Sequence, residues 1–90
     1  MNVLDLYKTC NACPSQWEGQ LENGHYIYIR YRWGSFRVGI GETLSDAIDN
    51  MYFQISIGGP FDGVMSSEDM LCKLEQIGLN VEKIRRRGVL

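Results

Sequence analysis

Two short turns, Asn23-Gly24 and Gly34-Ser35, punctuate an alternating run from Trp17 to Ile40 and tie it into a three-stranded β-meander. Glycine opening a two-residue loop fits a type II′ turn, because that position needs a positive φ. With Gly34-Ser35 as the loop, Trp33 faces Phe36, Arg32 faces Arg37, Tyr31 faces Val38, Arg30 faces Gly39 and Ile29 faces Ile40. The strand period of two then gathers Ile27, Ile29, Tyr31, Trp33, Phe36, Val38 and Ile40 on one apolar face. Upstream, Asn-Gly is the preferred dipeptide of a type I′ turn, and a two-residue loop there sets Leu21 against Tyr26, Gly19 against Tyr28 and Trp17 against Arg30. A three-residue loop with a bulge instead shifts the first strand by one and carries Trp17 to the core face. In the two-residue register the second face holds Trp17, Leu21, Tyr26, Tyr28, Arg30, Arg32 and Arg37.

Downstream, Thr43 followed by Asp46 reads as a helix N-cap with an acidic first turn, and Leu44, Ala47, Ile48 and Met51 form one buried stripe. Phe53, Ile55 and Ile57 alternate with Gln54 and Ser56, which predicts a strand over 52–57 ending at Gly58-Gly59-Pro60. Ser66 is a second N-cap, with Asp69 as a short capping acid and Met65 placed to staple against Met70. That helix buries Met70, Leu71, Leu74 and Ile77 and ends at Gly78, while 79–90 reads as an edge strand or a partly ordered tail. The expected fold is therefore α+β: an antiparallel sheet of four or more strands, the meander 17–41 plus strand 52–57, packed with two short helices. Its apolar sheet face and the Leu71, Leu74, Ile77 stripe must cover each other.

Ninety residues suit one domain spanning 1–90, with a core that needs no metal or disulfide. No apolar run is long enough for a membrane span, and Met1 to Cys10 lacks the pattern of a signal peptide, so the expected location is the cytoplasm. Three cysteines in such a chain point to reduced thiols. A net charge of −2 argues against a general nucleic-acid coat, and sequence-specific nucleic-acid binding is not expected. The charge is segregated, however: no Lys or Arg stands between Val38 and Cys72, whereas Glu42, Asp46, Asp49, Asp62, Glu68 and Asp69 do. The basic residues lie on the meander and in Arg85-Arg86-Arg87. Either the acidic helix starts neutralise the arginine face, or that face attracts an external anion.

Catalytic and metal chemistry find few handles. Cys10-Asn11-Ala12-Cys13 has the spacing of a zinc half-site, but only Cys72 and His25 remain as further donors, so no metal or cofactor is expected and the thiols read as buried. His25, beside Gly24 in a turn, has no oriented partner and reads as an exposed strand opener. Glu18 and Glu22 share a face without any sign of a walled cleft. The segment 58–63, Gly-Gly-Pro-Phe-Asp-Gly, lacks the Lys-Ser/Thr of a phosphate loop and is either an ordinary turn or a loop lining a ligand. The meander's second face is more suggestive. Arg32 directly opposite Arg37 puts like charges side by side, at a cost of up to about 1 kcal/mol unless an anion lies between them. Guanidinium groups bind phosphate bidentately, and tyrosine rings stack on bases.

The segments Cys13-Pro14-Ser15-Gln16-Trp17-Glu18-Gly19 and Tyr26-Ile27-Tyr28-Ile29-Arg30-Tyr31-Arg32-Trp33-Gly34 resemble short uncharacterised proteins of phages and bacteria. Those proteins carry a Cys-Pro, Trp-x-Gly, Tyr-x-Arg-Tyr-Arg-x-Gly pattern, and the resemblance covers about the first half of the chain. It implies a mobile-element accessory protein acting in a host cytoplasm, in a class of small sequestering or inhibitory binders. The expectation is a non-enzymatic module that captures an anionic, nucleotide-derived ligand on Trp17, Tyr26, Tyr28, Arg30, Arg32 and Arg37, for example a host defence signal. The alternative is an inhibitor or immunity-type module that binds a host protein, and either leaves room for a homo-oligomer.

Overall fold

The computed structural model describes residues 1–10 and 14–87. Five strands form one open antiparallel sheet in sequence order: β1 (Val3–Cys10), β2 (Ser15–Leu21), β3 (Tyr26–Arg32), β4 (Ser35–Gly41) and β5 (Met51–Ser56). Helix α1 (Leu44–Asp49) lies between β4 and β5 in sequence, and α2 (Ser67–Gln76) and α3 (Glu82–Arg87) follow. The α+β expectation holds. Two additions were not foreseen: β1, and α3 within the segment expected to be an edge strand or tail.

Trp17, Ile29, Val38 and Phe53 stand in register across β2 to β5, and Ser15, Tyr31, Phe36 and Ile55 form the next row. Most of these side chains are buried in a core closed by Met70, Leu71 and Leu74 of α2 and by Leu79, Val81 and Ile84 around α3. The Trp17 indole donates from Nε1 to Ser67 Oγ at 3.2 Å, and Met65 N donates to Ser15 Oγ at 3.0 Å. The sheet is thereby pinned to the start of α2 by bonds that satisfy buried polar groups. The α2 caps follow the sequence: Ser66 Oγ accepts from Asp69 N at 3.1 Å, and Gly78 takes a φ of 91° just past the C-cap.

Both hairpin registers differ from the two-residue readings. The β3–β4 loop is Trp33-Gly34, with φ of 52° and 71°, the signature of a type I′ turn. Arg32 therefore pairs with Ser35, Tyr31 with Phe36, Arg30 with Arg37 and Ile29 with Val38. Gly34 at the second turn position needs positive φ just as it would at the first, so the glycine alone does not fix the loop. Its N–H donates to Asp62 O at 2.7 Å, and Ile57 N donates back to Gly34 O at 2.8 Å, so the 58–62 segment latches this turn. Trp33 consequently leaves the core face, while the other six residues assigned to that face keep it.

At the first hairpin, Leu21 N donates to His25 O and Gly24 N to Leu21 O, closing a three-residue loop of Glu22, Asn23 and Gly24. Trp17 thus pairs with Ile29 rather than Arg30 and is fully buried on the core face, together with Leu21. The bulged alternative is the one adopted. Burial of the indole decides it, because a one-residue slip would turn the largest apolar side chain of β2 to solvent.

Opposite the core, α1 crosses β3 and β4. A Cβ on Gly39 would meet the Ala47 carbonyl oxygen at 1.7 Å, so only glycine lets the helix lie this close. Thr43 caps α1 through Oγ1, which accepts from Asp46 N at 3.1 Å. The helix is shorter than the expected stripe, because Met51 already belongs to β5.

Candidate functional site: an arginine row on the outer sheet face

The pairing places Gln16, Arg30, Arg37 and Gln54 in one row across β2, β3, β4 and β5 on the face away from the core. Neighbouring strands stand about 4.8 Å apart, so the row is a line of nitrogen donors roughly 14 Å long. The adjacent row is Arg32, Ser35 and Ser56. Gln54 Nε2 donates to Ser35 Oγ at 2.8 Å and links the two rows. The expected like-charge juxtaposition is present with different membership: Arg30, not Arg32, faces Arg37.

The described residues offer these arginines no carboxylate partner. The ion pairs are Lys83 with Glu22 at 2.9 Å, Arg85 with Glu68 at 2.6 Å and Glu75 at 2.5 Å, and Arg86 with Glu82 at 2.7 Å. The α2 acid Glu68 is thus held by Arg85 on α3, which clamps the two helices together. Those carboxylates hold the Arg85 guanidinium above its ordinary range, and the Lys83 ammonium draws the Glu22 carboxyl below its own. Neutralisation of the sheet arginines by the acidic helix starts is therefore not the arrangement seen.

Each arginine has a different setting. Arg37 Nη2 donates at 3.1 Å to Ile48 O in the last turn of α1, a carbonyl without an intrahelical partner, and Arg37 Nε is buried without a hydrogen bond. The helix has no basic residue of its own there, and Arg37 serves from the sheet. Arg32 lies over the Trp33 ring, its guanidinium carbon 4.0 Å from the ring centroid. Arg30 makes no hydrogen bond, ion pair or ring contact among the described residues and is half-buried.

Not every residue assigned to the face from sequence reaches this row. Trp17 is on the opposite face, and Tyr28 is only 7% exposed opposite Gly39, beside the crossing helix. Tyr26 borders a shallow cavity of about 210 Å³ that Asp5, Glu18 and Tyr7 also line, a setting that favours cations over anions. Conversely, Trp33 was assigned to the core and is 66% exposed at the end of the arginine face. Phe61, in the latching segment, is 94% exposed. Gln16 and Gln54 were not singled out either; the signal that finds them is the corrected register alone.

The remaining motifs separate as follows. Asp62 Oδ2 accepts from Gly59 N at 2.8 Å, and a Cβ on Gly58 would meet the Tyr31 hydroxyl at 2.1 Å, so the glycine segment is a tight turn under β3–β4. Burial, and then the Asp62 charge, push the Tyr31 hydroxyl above its ordinary range. His25 is half-buried, not exposed, and its Nδ1 lacks a partner. Cys72 is exposed rather than buried, and Cys10 is half-buried. The Cys10-Asn11-Ala12-Cys13 motif runs through 11–13, which lie outside the described residues, as do 88–90 of the tail. No helix among the described residues is long and apolar enough to cross a membrane. Comparison of the chain with family models, with curated proteins and with solved structures gave no match.

Proposed function

We propose that the protein is a non-enzymatic binding module that captures an anionic, nucleotide-derived ligand on the outer sheet face. The observation that carries this reading is the pair Arg30 and Arg37, adjacent across β3 and β4, neither of which forms an ion pair with a carboxylate among the described residues. A phosphate between two guanidinium groups would replace like-charge repulsion with charge-assisted hydrogen bonds. Arg32 on Trp33 supplies a flat cationic platform one row away, suited to stacking a base. Gln16 and Gln54 extend the row with amide donors. In this reading the resemblance to phage and bacterial proteins fits an accessory protein that sequesters a host defence signal in the host cytoplasm.

The test is a thermal-shift screen at low salt against mononucleotides, dinucleotides and cyclic dinucleotides, repeated on Arg30→Ala. A ligand present at 100 times its Kd adds about 2.7 kcal/mol of stability, enough to move the midpoint by several degrees. No shift with any member of the panel, or an equal shift in Arg30→Ala, rejects the reading.

A second reading has its own support. Trp33 and Phe61, exposed at the same end of the sheet, form the kind of aromatic anchor that protein interfaces use. A host protein bound there would be lost on Trp33→Ala or Phe61→Ala and retained in Arg30→Ala.

A further inference from the structure

We propose that β5 pairs with β5 of a second copy of this chain, antiparallel and about a two-fold axis through Ile55, to join two sheets into one. The inference is carried by the sheet edge and stands independently of the anion site.

The two edges of the sheet are built differently. On β1 the register breaks at both ends, between Val3 and Asp5 and between Lys8 and Cys10, the strand carries the charged Asp5 and Lys8, and α3 packs against it. These are the devices that keep an edge from pairing. On β5 none of them operates over 53–57. The segment from Asn50 to Ile57 carries no charge, and among the described residues the strand pairs only with β4. Its single irregularity lies at the start, between Phe53 and Met51.

Backbone direction decides the register. Ile57 N donates to Gly34 O, toward β4, so by antiparallel alternation Ile55 and Phe53 also turn their polar groups to β4. Gln54 and Ser56 then aim theirs outward, without a partner among the described residues. A two-fold axis through Ile55 sets Gln54 against Ser56 of the second copy and Ser56 against its Gln54, which satisfies these groups with about four hydrogen bonds. It also sets Ile55 on Ile55, and Phe53 on Ile57 in both directions. Ile55 and Ile57, 44% and 39% exposed, would be covered, and the apolar row of Tyr31, Phe36 and Ile55 would run on into its own copy. The bulged start of β5 stays outside the pairing. Because the same strand serves both partners, the contact is isologous and closes at two copies.

The test is sedimentation equilibrium of the full chain over micromolar to near-millimolar concentrations, with Ile55→Lys and Ser56→Pro as variants. Ile55→Lys puts two ammonium groups on the axis, and Ser56→Pro removes an outward N–H that β4 does not use. The expected result is a dimer in the parent, with the dissociation constant raised at least about tenfold in each variant and an unchanged far-ultraviolet spectrum. Ile55→Cys, oxidised, should form a covalent dimer beyond the level of the parent chain, because Cα atoms of a non-hydrogen-bonded pair stand about 4.5 Å apart, within disulfide reach. A parent that is monomeric throughout, a dimer that persists in Ile55→Lys, or open assemblies larger than two would each overturn the proposal.

Discussion

Replacing Arg30 and Arg37 separately with alanine should have unequal effects on the free protein, although the two stand side by side. At a separation of about 6 Å, two unit charges repel by roughly 0.7 kcal/mol in water and by roughly 3 kcal/mol at an effective dielectric of 20. Both side chains are only half-buried, so the lower figure governs, in line with the 0.2 to about 1 kcal/mol typical of cross-strand pairs. Arg30→Ala removes that repulsion and loses only the packing of an aliphatic stem, with no hydrogen bond broken among the described residues. The net change should lie within about 0.5 kcal/mol of zero. Arg37→Ala relieves the same repulsion but also removes the bond to Ile48 O that caps α1. A charged hydrogen bond of about 1.5 kcal/mol outweighs the relief, so this variant should lose about 1 kcal/mol.

Urea midpoints of the parent, both single variants and the double variant complete a mutant cycle. The coupling between the arginines should be repulsive and should shrink when salt rises from about 20 mM to 0.5 M, as the Debye length contracts from roughly 20 Å to 4 Å. Added inorganic phosphate should reverse its sign. Were Arg30→Ala to cost more than about 1 kcal/mol, with an attractive coupling, Arg30 would have an internal partner and the premise of the anion site would be gone.

Gly39→Ala should destabilise by about 1 to 3 kcal/mol, because its Cβ would collide with the Ala47 backbone and lift α1; a midpoint unchanged within error would contradict the packing. The lowered Glu22 carboxyl means stability fully present above the unfolded carboxylate range and lost as pH falls through the folded value, so Glu22→Gln should flatten the acid limb of a pH–midpoint curve. For Tyr31 the sign is the reverse in pH: a raised hydroxyl gives stability present below about pH 10 and lost as pH climbs toward the folded value, a limb that Tyr31→Phe should remove.

The parts of the fold legible in the sequence were those fixed by strong local chemistry. Thr43 and Ser66 cap helices where hydroxyls precede acidic first turns, Gly78 ends α2 with positive φ, and the alternation of Ile27, Ile29 and Tyr31 with polar residues survives because parity, unlike register, does not depend on the turn. Register did depend on it. Two turn types place glycine at different loop positions, and choosing between them needed Asp62, far along the chain, which accepts from Gly34 N. β1 was missed because its apolar positions break step at the two register shifts, and α3 because Arg85 joins it to Glu68 and Glu75 by contacts that no local pattern announces. For the candidate site this meant that a face rich in arginine was readable, whereas the identity of the facing pair was not.

Trp33 shows where local preference and function part company. A type I′ turn favours Asn at its first position, and a bulky aromatic residue at a φ of 52° is disfavoured there. Trp33 nevertheless holds the position, 66% exposed, with the Arg32 guanidinium over its ring. Its burial contributes little, and the cation–π contact adds about 0.5 to 1 kcal/mol, which roughly offsets the turn strain. Trp33→Asn should therefore leave the unfolding free energy, read from urea titration, within about 0.5 kcal/mol of the parent's, since the better turn residue compensates for the lost stack. A residue that stability does not require, held against local preference at the end of a cationic face, points to a duty outside the fold. On the proposed anion-site reading, the same variant should lower affinity for a base-bearing phosphate at least about tenfold and leave affinity for inorganic phosphate unchanged. Equal loss of both ligands would instead mean that Trp33 merely shapes the hairpin, and an unchanged affinity for both would remove it from the site.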